Sequence, residues 1–375
     1  MSGIYLHIPF CKSRCYYCDF YSCTEVSKME EYVEILKYEI IDRKKYLSDT
    51  VDSIYFGGGT PSVLSIENIE SILKTITEHY KLSKNVEITL EANPDDLNTR
   101  SLKLLARTPI NRLSIGIQSM DNYFLKLMNR RHSAEQAIQA VEQARRFGFD
   151  NISVDLIYGI PGLTERELRS SLQKIAALEI QHLSAYHITY EKDTVFDLLR
   201  QKGLLNPISD DESYYQYKLI SDWATQNNFI HYEISNFGKL GRFSKHNSSY
   251  WRQQPYLGVG ASAHSYNINK RRWNIDNINE YLNYKIKNGE IYKEESLTKV
   301  DRFNELLLTS LRTSWGIDIK QVEHEYGSDY AQLLLSTAER YEAQGYLTIQ
   351  NNNAILTEKG FFISDKIISD MFTSQ

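Results

Sequence analysis

The chain has 375 residues, with 43 Lys and Arg against 48 Asp and Glu, a net charge of -5 and 42% hydrophobic residues. At about 150 residues per domain, that length holds two or three domains, or one α/β barrel with additions. The slight acidity excludes a broad basic face for nucleic acid or anionic membrane, and no apolar run reaches the roughly 18 residues of a bilayer span.

Residues 1–10 have neither the basic region nor the long apolar region of a secretory signal. A cytoplasmic location follows as the expectation, with at most peripheral membrane contact. From there, short β-branched or aromatic runs alternate with longer amphipathic ones. Strands are expected at Ile4–Ile8, Ser53–Phe56, Val86–Leu90, Arg112–Ile117, Ile152–Ile157 and Leu183–Ile188. Between them, Met29–Tyr46, Ile66–His79, Ala134–Phe147 and Glu165–Leu178 carry apolar residues at helical spacing. Such alternation implies parallel strands joined by right-handed crossovers. Six βα units are too few to close an eight-stranded barrel, so the expected fold is α/β with an open or partial barrel.

Beyond residue 200 the pattern turns to helices and irregular aromatic-rich stretches, and residues 201–296 read as a connecting segment packed on the barrel of residues 1–200. In 297–375 two helices, Ile319–Tyr326 and Tyr330–Gln344, precede a hairpin over Tyr346–Leu356 and a last helix, Phe361–Met371. That order is winged-helix-like. Residues 316–375 nevertheless carry four Lys and Arg against nine Asp and Glu, the wrong sign for DNA, so this unit reads as a packing or interaction domain.

Four cysteines, Cys11, Cys15, Cys18 and Cys23, crowd into 13 residues, and the 352 residues after them contain none. A disulfide framework would spread its cysteines to join distant segments; crowded thiols in a reducing compartment point to a metal. Because the loop follows the first strand, it belongs at the C-terminal face of the barrel, where active sites are built. Cys11, Cys15 and Cys18 can hold three irons of a cubane cluster and leave the fourth open to a small chelating molecule. A structural zinc with Cys23 as fourth ligand is the alternative, although the spacing is not that of paired Cys-x-x-Cys knuckles.

Further along, Tyr55-Phe56-Gly57-Gly58-Gly59-Thr60-Pro61 ends the second strand with glycines that permit close backbone approach. Glu91 and Gln118 close the third and fourth strands, and Asp155 lies in the fifth. Polar groups there need partners, and Glu and Gln are poor helix N-caps.

Cys-x-x-x-Cys-x-x-Cys after a first barrel strand resembles the radical S-adenosylmethionine (SAM) superfamily. The resemblance implies a partial (βα)6 TIM-like barrel with a C-terminal winged-helix-like α+β domain. It also implies a [4Fe-4S] cluster on Cys11, Cys15 and Cys18, and SAM contacts at Tyr5, Tyr17, Gly58, Gly59, Thr60, Glu91, Gln118, Arg130 and Asp155. Thr60, standing where many members have an acidic residue, is similar to the coproporphyrinogen-oxidase-like branch.

Two departures separate this chain from the decarboxylases of that branch: its first strand begins at residue 4, without their N-terminal extension, and Phe20 occupies the place of their additional cysteine. His246-Asn247-Ser248-Ser249-Tyr250-Trp251 is similar to the HNxxYW motif of the branch's heme chaperones. The resemblance thus implies heme as a further cofactor, with His246 as its iron ligand, and client hemoproteins and an electron donor as partners. It is compatible with a homodimer and implies no nucleic acid. The alternative is an oxygen-independent coproporphyrinogen III oxidase. Lys245 and the run Lys270-Arg271-Arg272 read first as a solvated face and second as propionate partners.

Overall fold

The computed structural model describes residues 2–373. Its centre is six parallel strands in sequential order: β1 (Ser2–Ile8), β2 (Val51–Gly58), β3 (Leu82–Ala92), β4 (Arg112–Gln118), β5 (Ile152–Tyr158) and β6 (His182–His187). Helices Met29–Asp42, Ile66–His79, Ala134–Arg146 and Glu165–Ala177 connect them, close to the expected ranges. Side-chain caps set several of these starts: Ser65 accepts from Asn68 N, while Ser133 with Gln136 and Thr164 with Glu167 form capping boxes.

The strands alternate in a way that makes a polar-walled barrel. Ile4, Leu6, Ile8, Ile54, Phe56, Leu113, Ile115, Ile152 and Val154 are buried in the apolar core. The residues between them, including Tyr5, Tyr55, Glu91, Arg112, Ser114, Asp155 and Ser184, line one internal cavity.

The connecting segment departs from expectation by joining the same sheet. Strands β7 (Ile230–Glu233), β8 (Asn236–Gly238), β9 (Tyr256–Val259), β10 (His264–Tyr266), β11 (Lys270–Asn274) and β12 (Tyr292–Ser296) extend it at both edges. The order is β12-β11-β10-β9-β1-β2-β3-β4-β5-β6-β8-β7. β9 runs parallel to β1, and β6 pairs antiparallel with β8. These strands are three to five residues long, too short to show a period of two. β12 is exposed throughout, so no apolar face marks it.

At the C-terminus, helices Ile319–Tyr326 and Ser328–Glu342 pack beside a small antiparallel sheet of β13 (Ile317–Asp318), β14 (Leu347–Gln350) and β15 (Asn353–Leu356), in the order β13-β15-β14. The expected last helix is instead two short ones, Glu358–Phe362 and Ser364–Ser369, broken at Ile363. Thr357 caps the first by accepting from Gly360 N, which moves its start earlier than apolar spacing suggests. No helix among the described residues is long and apolar enough to cross a membrane.

Candidate functional site

The cysteine loop is tied down by its own backbone. Cys11 N donates to Cys23 O at 2.9 Å and Cys23 N to Pro9 O at 2.8 Å, folding residues 11–23 back onto the end of β1. Tyr16 N donates to Met128 O, Asn129 Nδ2 to Arg14 O, and Phe196 N to Tyr16 O, so elements following β4 and β6 hold the loop across the barrel mouth. Cys11, Cys15 and Cys18 line the cavity together with Phe20; Cys23 is not among the lining residues. The cavity measures about 540 Å³, within the usual range for small-molecule sites.

Behind the thiols stands a polar wall. Thr60 is buried, with Oγ1 3.3 Å from Cys11 Sγ. Arg130 donates from Nη1 to Cys15 Sγ (3.3 Å) and from Nη2 to Asn93 Oδ1 and Gly116 O (both 2.6 Å). Its neighbour Arg131 lines the same cavity but pairs with Asp95 at 2.8 Å.

Tyr55 donates to Glu91 Oε1 at 2.7 Å. Burial pushes the Glu91 carboxyl up to about 7, against the pull of that hydrogen bond. Asp155 accepts from Ser114 Oγ at 3.4 Å, and burial raises it too. Tyr5 stacks on Tyr55 at 6.2 Å, and Tyr17 meets Phe196 edge-on. Gln118 takes a left-handed φ of 58° where β4 ends.

The glycines serve the chain's own crowding as well as the cavity. A Cβ on Gly58 would stand 2.8 Å from the His7 ring, and one on Gly59 would stand 2.7 Å from the Pro9 carbonyl. Gly58 also has a φ of +113°, which only glycine adopts without strain.

His246, the expected heme ligand, lines the same cavity. It sits on the helix Lys245–Trp251, which packs against β1 and β2, and is 2% exposed. Its Nδ1 is 2.8 Å from Ser53 Oγ and its Nε2 is 2.8 Å from Tyr250 Oη. Burial, followed by the positive Arg112, pushes its pKa down to about 3 and keeps the ring neutral. Both nitrogens are engaged in this conformation. The basic run 270–272 is also committed: Lys270 pairs with Glu294, Arg271 with Glu305 at 2.7 Å, and Arg272 lies over the Tyr292 ring. Those contacts match the solvated-face reading.

Tyr55, Asn93, Arg112, Ser114, His182, Ser184 and Asn236 line the cavity without having been singled out from sequence. A signal existed for some of them. Arg112, Ser114, Gly116 and Gln118 alternate with Leu113, Ile115 and Ile117, the mark of a strand whose second face is a polar interior.

Residues 5–175 match the Radical SAM superfamily, and residues 297–363 match the HemN C-terminal domain. The heme chaperone HemW of Lactococcus lactis is 35% identical over 98% of this chain and 96% of its own length. This chain belongs to the HemW family of radical SAM proteins. HemW of Bacillus subtilis is 33% identical over 98% of each chain. The structure of coproporphyrinogen III oxidase (HemN) from Escherichia coli shares the fold, with a TM-score of 0.86 at 23% identity over 100% of this chain and 90% of that one.

The radical SAM family implies a [4Fe-4S] cluster and SAM, and the residues present fit both. Among the described residues no three His, Cys, Asp or Glu side chains gather closely enough to hold one ion. A cubane cluster asks for something else, since each thiolate binds a different iron and the sulfurs stand apart around it. Burial pushes the Cys18 thiol up to about 11, with the nearby Cys15 and Cys11 adding to the rise. Cluster assembly must therefore displace protons from thiols that share one pocket. For SAM, the wall offers the acceptors Glu91 and Asp155 beside an Arg130 whose buried Nε has no partner.

Proposed function

We propose that this protein is a cytoplasmic heme chaperone that binds heme and delivers it to client hemoproteins. Cys11, Cys15 and Cys18 hold the [4Fe-4S] cluster. SAM binds along Tyr5, Tyr17, Gly58, Gly59, Thr60, Glu91, Gln118, Arg130 and Asp155. When bound, the cluster supplies one-electron chemistry drawn from an external donor. The full-length likeness to HemW carries this reading, and Phe20 supports it: the ring stands 66% exposed at the cavity mouth, where the decarboxylases of the branch resemble one another in having a further cysteine.

His246 is the proposed heme ligand, with Tyr250 as its cap. Ser53 holds Nδ1, which leaves the Nε2 lone pair for a metal in the neutral ring. Tyr250→Phe removes the cap and is expected to tighten heme binding, whereas His246→Ala is expected to abolish stable heme transfer and leave cluster absorption and SAM binding intact. Anaerobic heme titration and transfer to an apo-hemoprotein measure both. Unchanged retention and transfer in His246→Ala would rule the ligand out. Conversion of coproporphyrinogen to protoporphyrinogen in the same preparation would favour the decarboxylase.

Glu91 makes SAM binding depend on pH. Its folded value of about 7 lies above the ordinary 4.5, so its contribution to stability is complete below the ordinary value and is lost as pH rises through about 7. A ligand donating to Glu91 favours the ionised form. SAM affinity is therefore expected to rise as pH passes upward through about 7, and Glu91→Gln to flatten that dependence in calorimetric titrations. A wild-type affinity independent of pH between about 5 and 8 would contradict this role.

A further inference from the structure

Arg112 is a buried charge that the site described so far does not use. It opens β4 opposite Thr89, is 2% exposed and lines the cavity. Among the described residues its guanidinium forms no hydrogen bond or ion pair, and its Nε is fully enclosed. A guanidinium has five N–H donors and keeps its charge in proteins, so leaving it buried with no acceptor is costly.

The groups that feel its field are engaged elsewhere. Glu91 accepts from Tyr55 and Asp155 from Ser114. His246 is held by Ser53 and Tyr250, and His182 by Ser153 (2.7 Å) and Tyr232 (2.8 Å). Arg130, on the same cavity, is already bonded to Asn93, Gly116 and Cys15. One cavity thus has an occupied guanidinium beside the thiols and a free one beside the His246 wall.

We propose that Arg112 receives the carboxylate of a ligand filling the part of the cavity away from the cysteine loop. The planar fork of Arg suits a carboxylate bidentately, and enclosure strengthens the pair. The carboxylate available there under the proposed function is a heme propionate, since the amino-acid end of SAM belongs at the cluster's open iron beside the cysteine loop. The proposal rests on that reading.

The test compares wild type, Arg112→Gln and Arg112→Lys, each checked for fold by thermal melting and iron content, in anaerobic titrations with heme, heme dimethyl ester and SAM. Wild type is expected to bind heme about ten- to a hundred-fold more tightly than the ester, the usual worth of a charge-assisted pair. Arg112→Gln is expected to bind heme and ester alike with SAM unchanged, and Arg112→Lys to recover part of the preference. A ten-fold loss of SAM binding with heme unaffected would overturn the proposal. If wild type binds heme and ester equally, Arg112 only balances Glu91 and Asp155, and the proposal falls. If wild type binds no heme, the chaperone reading fails and the proposal falls with it. Should Arg112→Gln not fold, the ester comparison in wild type and Arg112→Lys decides.

Discussion

Replacing any one of Cys11, Cys15 and Cys18 with Ser is expected to abolish the cluster, whereas Cys23→Ser is expected to keep it. The reason is geometric. The first three thiols line the cavity, and a hydroxyl is a poor substitute for the soft thiolate that an iron of the cluster needs. Cys23 contributes through its backbone, with its N–H on Pro9 O and its carbonyl receiving Cys11 N. Serine preserves both bonds. Iron and inorganic sulfide in anaerobically reconstituted protein should fall from about four each per chain to below about one in the first three variants and stay near four in the last. Loss of iron in Cys23→Ser, with the fold intact, would make Cys23 a ligand of a cluster with four protein thiolates.

Replacing Glu39 with Ala is expected to destabilise the fold by about 3–5 kcal/mol, the cost of stranding a buried charge. Glu39 is 0% exposed. It accepts from Arg43 Nη1 at 3.1 Å, Asn274 Nδ2 at 2.7 Å, Gly260 N at 2.9 Å and Tyr281 Oη at 2.7 Å. Arg43 in turn donates to Gly258 O and Ser265 Oγ. This network joins the helix after the cysteine loop to β9, β10 and β11, and β9 is the strand paired with β1. Alanine would leave Arg43 enclosed without a counter-charge and the donors Gly260 N and Tyr281 Oη unpaired. The urea midpoint of Glu39→Ala should drop accordingly. A change below about 1 kcal/mol would mean that water or repacking replaces the carboxylate.

Glu39 also illustrates how much of the structure was legible beforehand. Its spacing from Tyr32, Ile35 and Leu36 puts it on the buried face of Met29–Asp42, but its role as a hub was hidden because three of its four partners lie more than 200 residues away. The six βα units were legible because each strand and helix declares itself within a dozen residues through its own apolar period. Glu91 and Asp155 were legible as polar interruptions of apolar strands. Strands β7 to β12 were not, since three to five residues carry no reliable period and their pairing depends on which edge of the central sheet they meet.

By itself the sequence determined the thiol triplet and its place after the first strand, the alternating α/β class, and the acidic character of the C-terminal unit. All of these are local properties of composition and spacing. Only the tertiary structure decided that Arg130 rather than Arg131 faces the thiols, that Ser53 and Tyr250 enclose His246 from 193 and four residues away, and that Arg112 is left without an acceptor. The physical reason is common to all three. A side chain's residue type states what it can bind, but the register of distant strands and the packing of the Lys245–Trp251 helix set which partners come within hydrogen-bond reach, and so which groups stay available to a ligand.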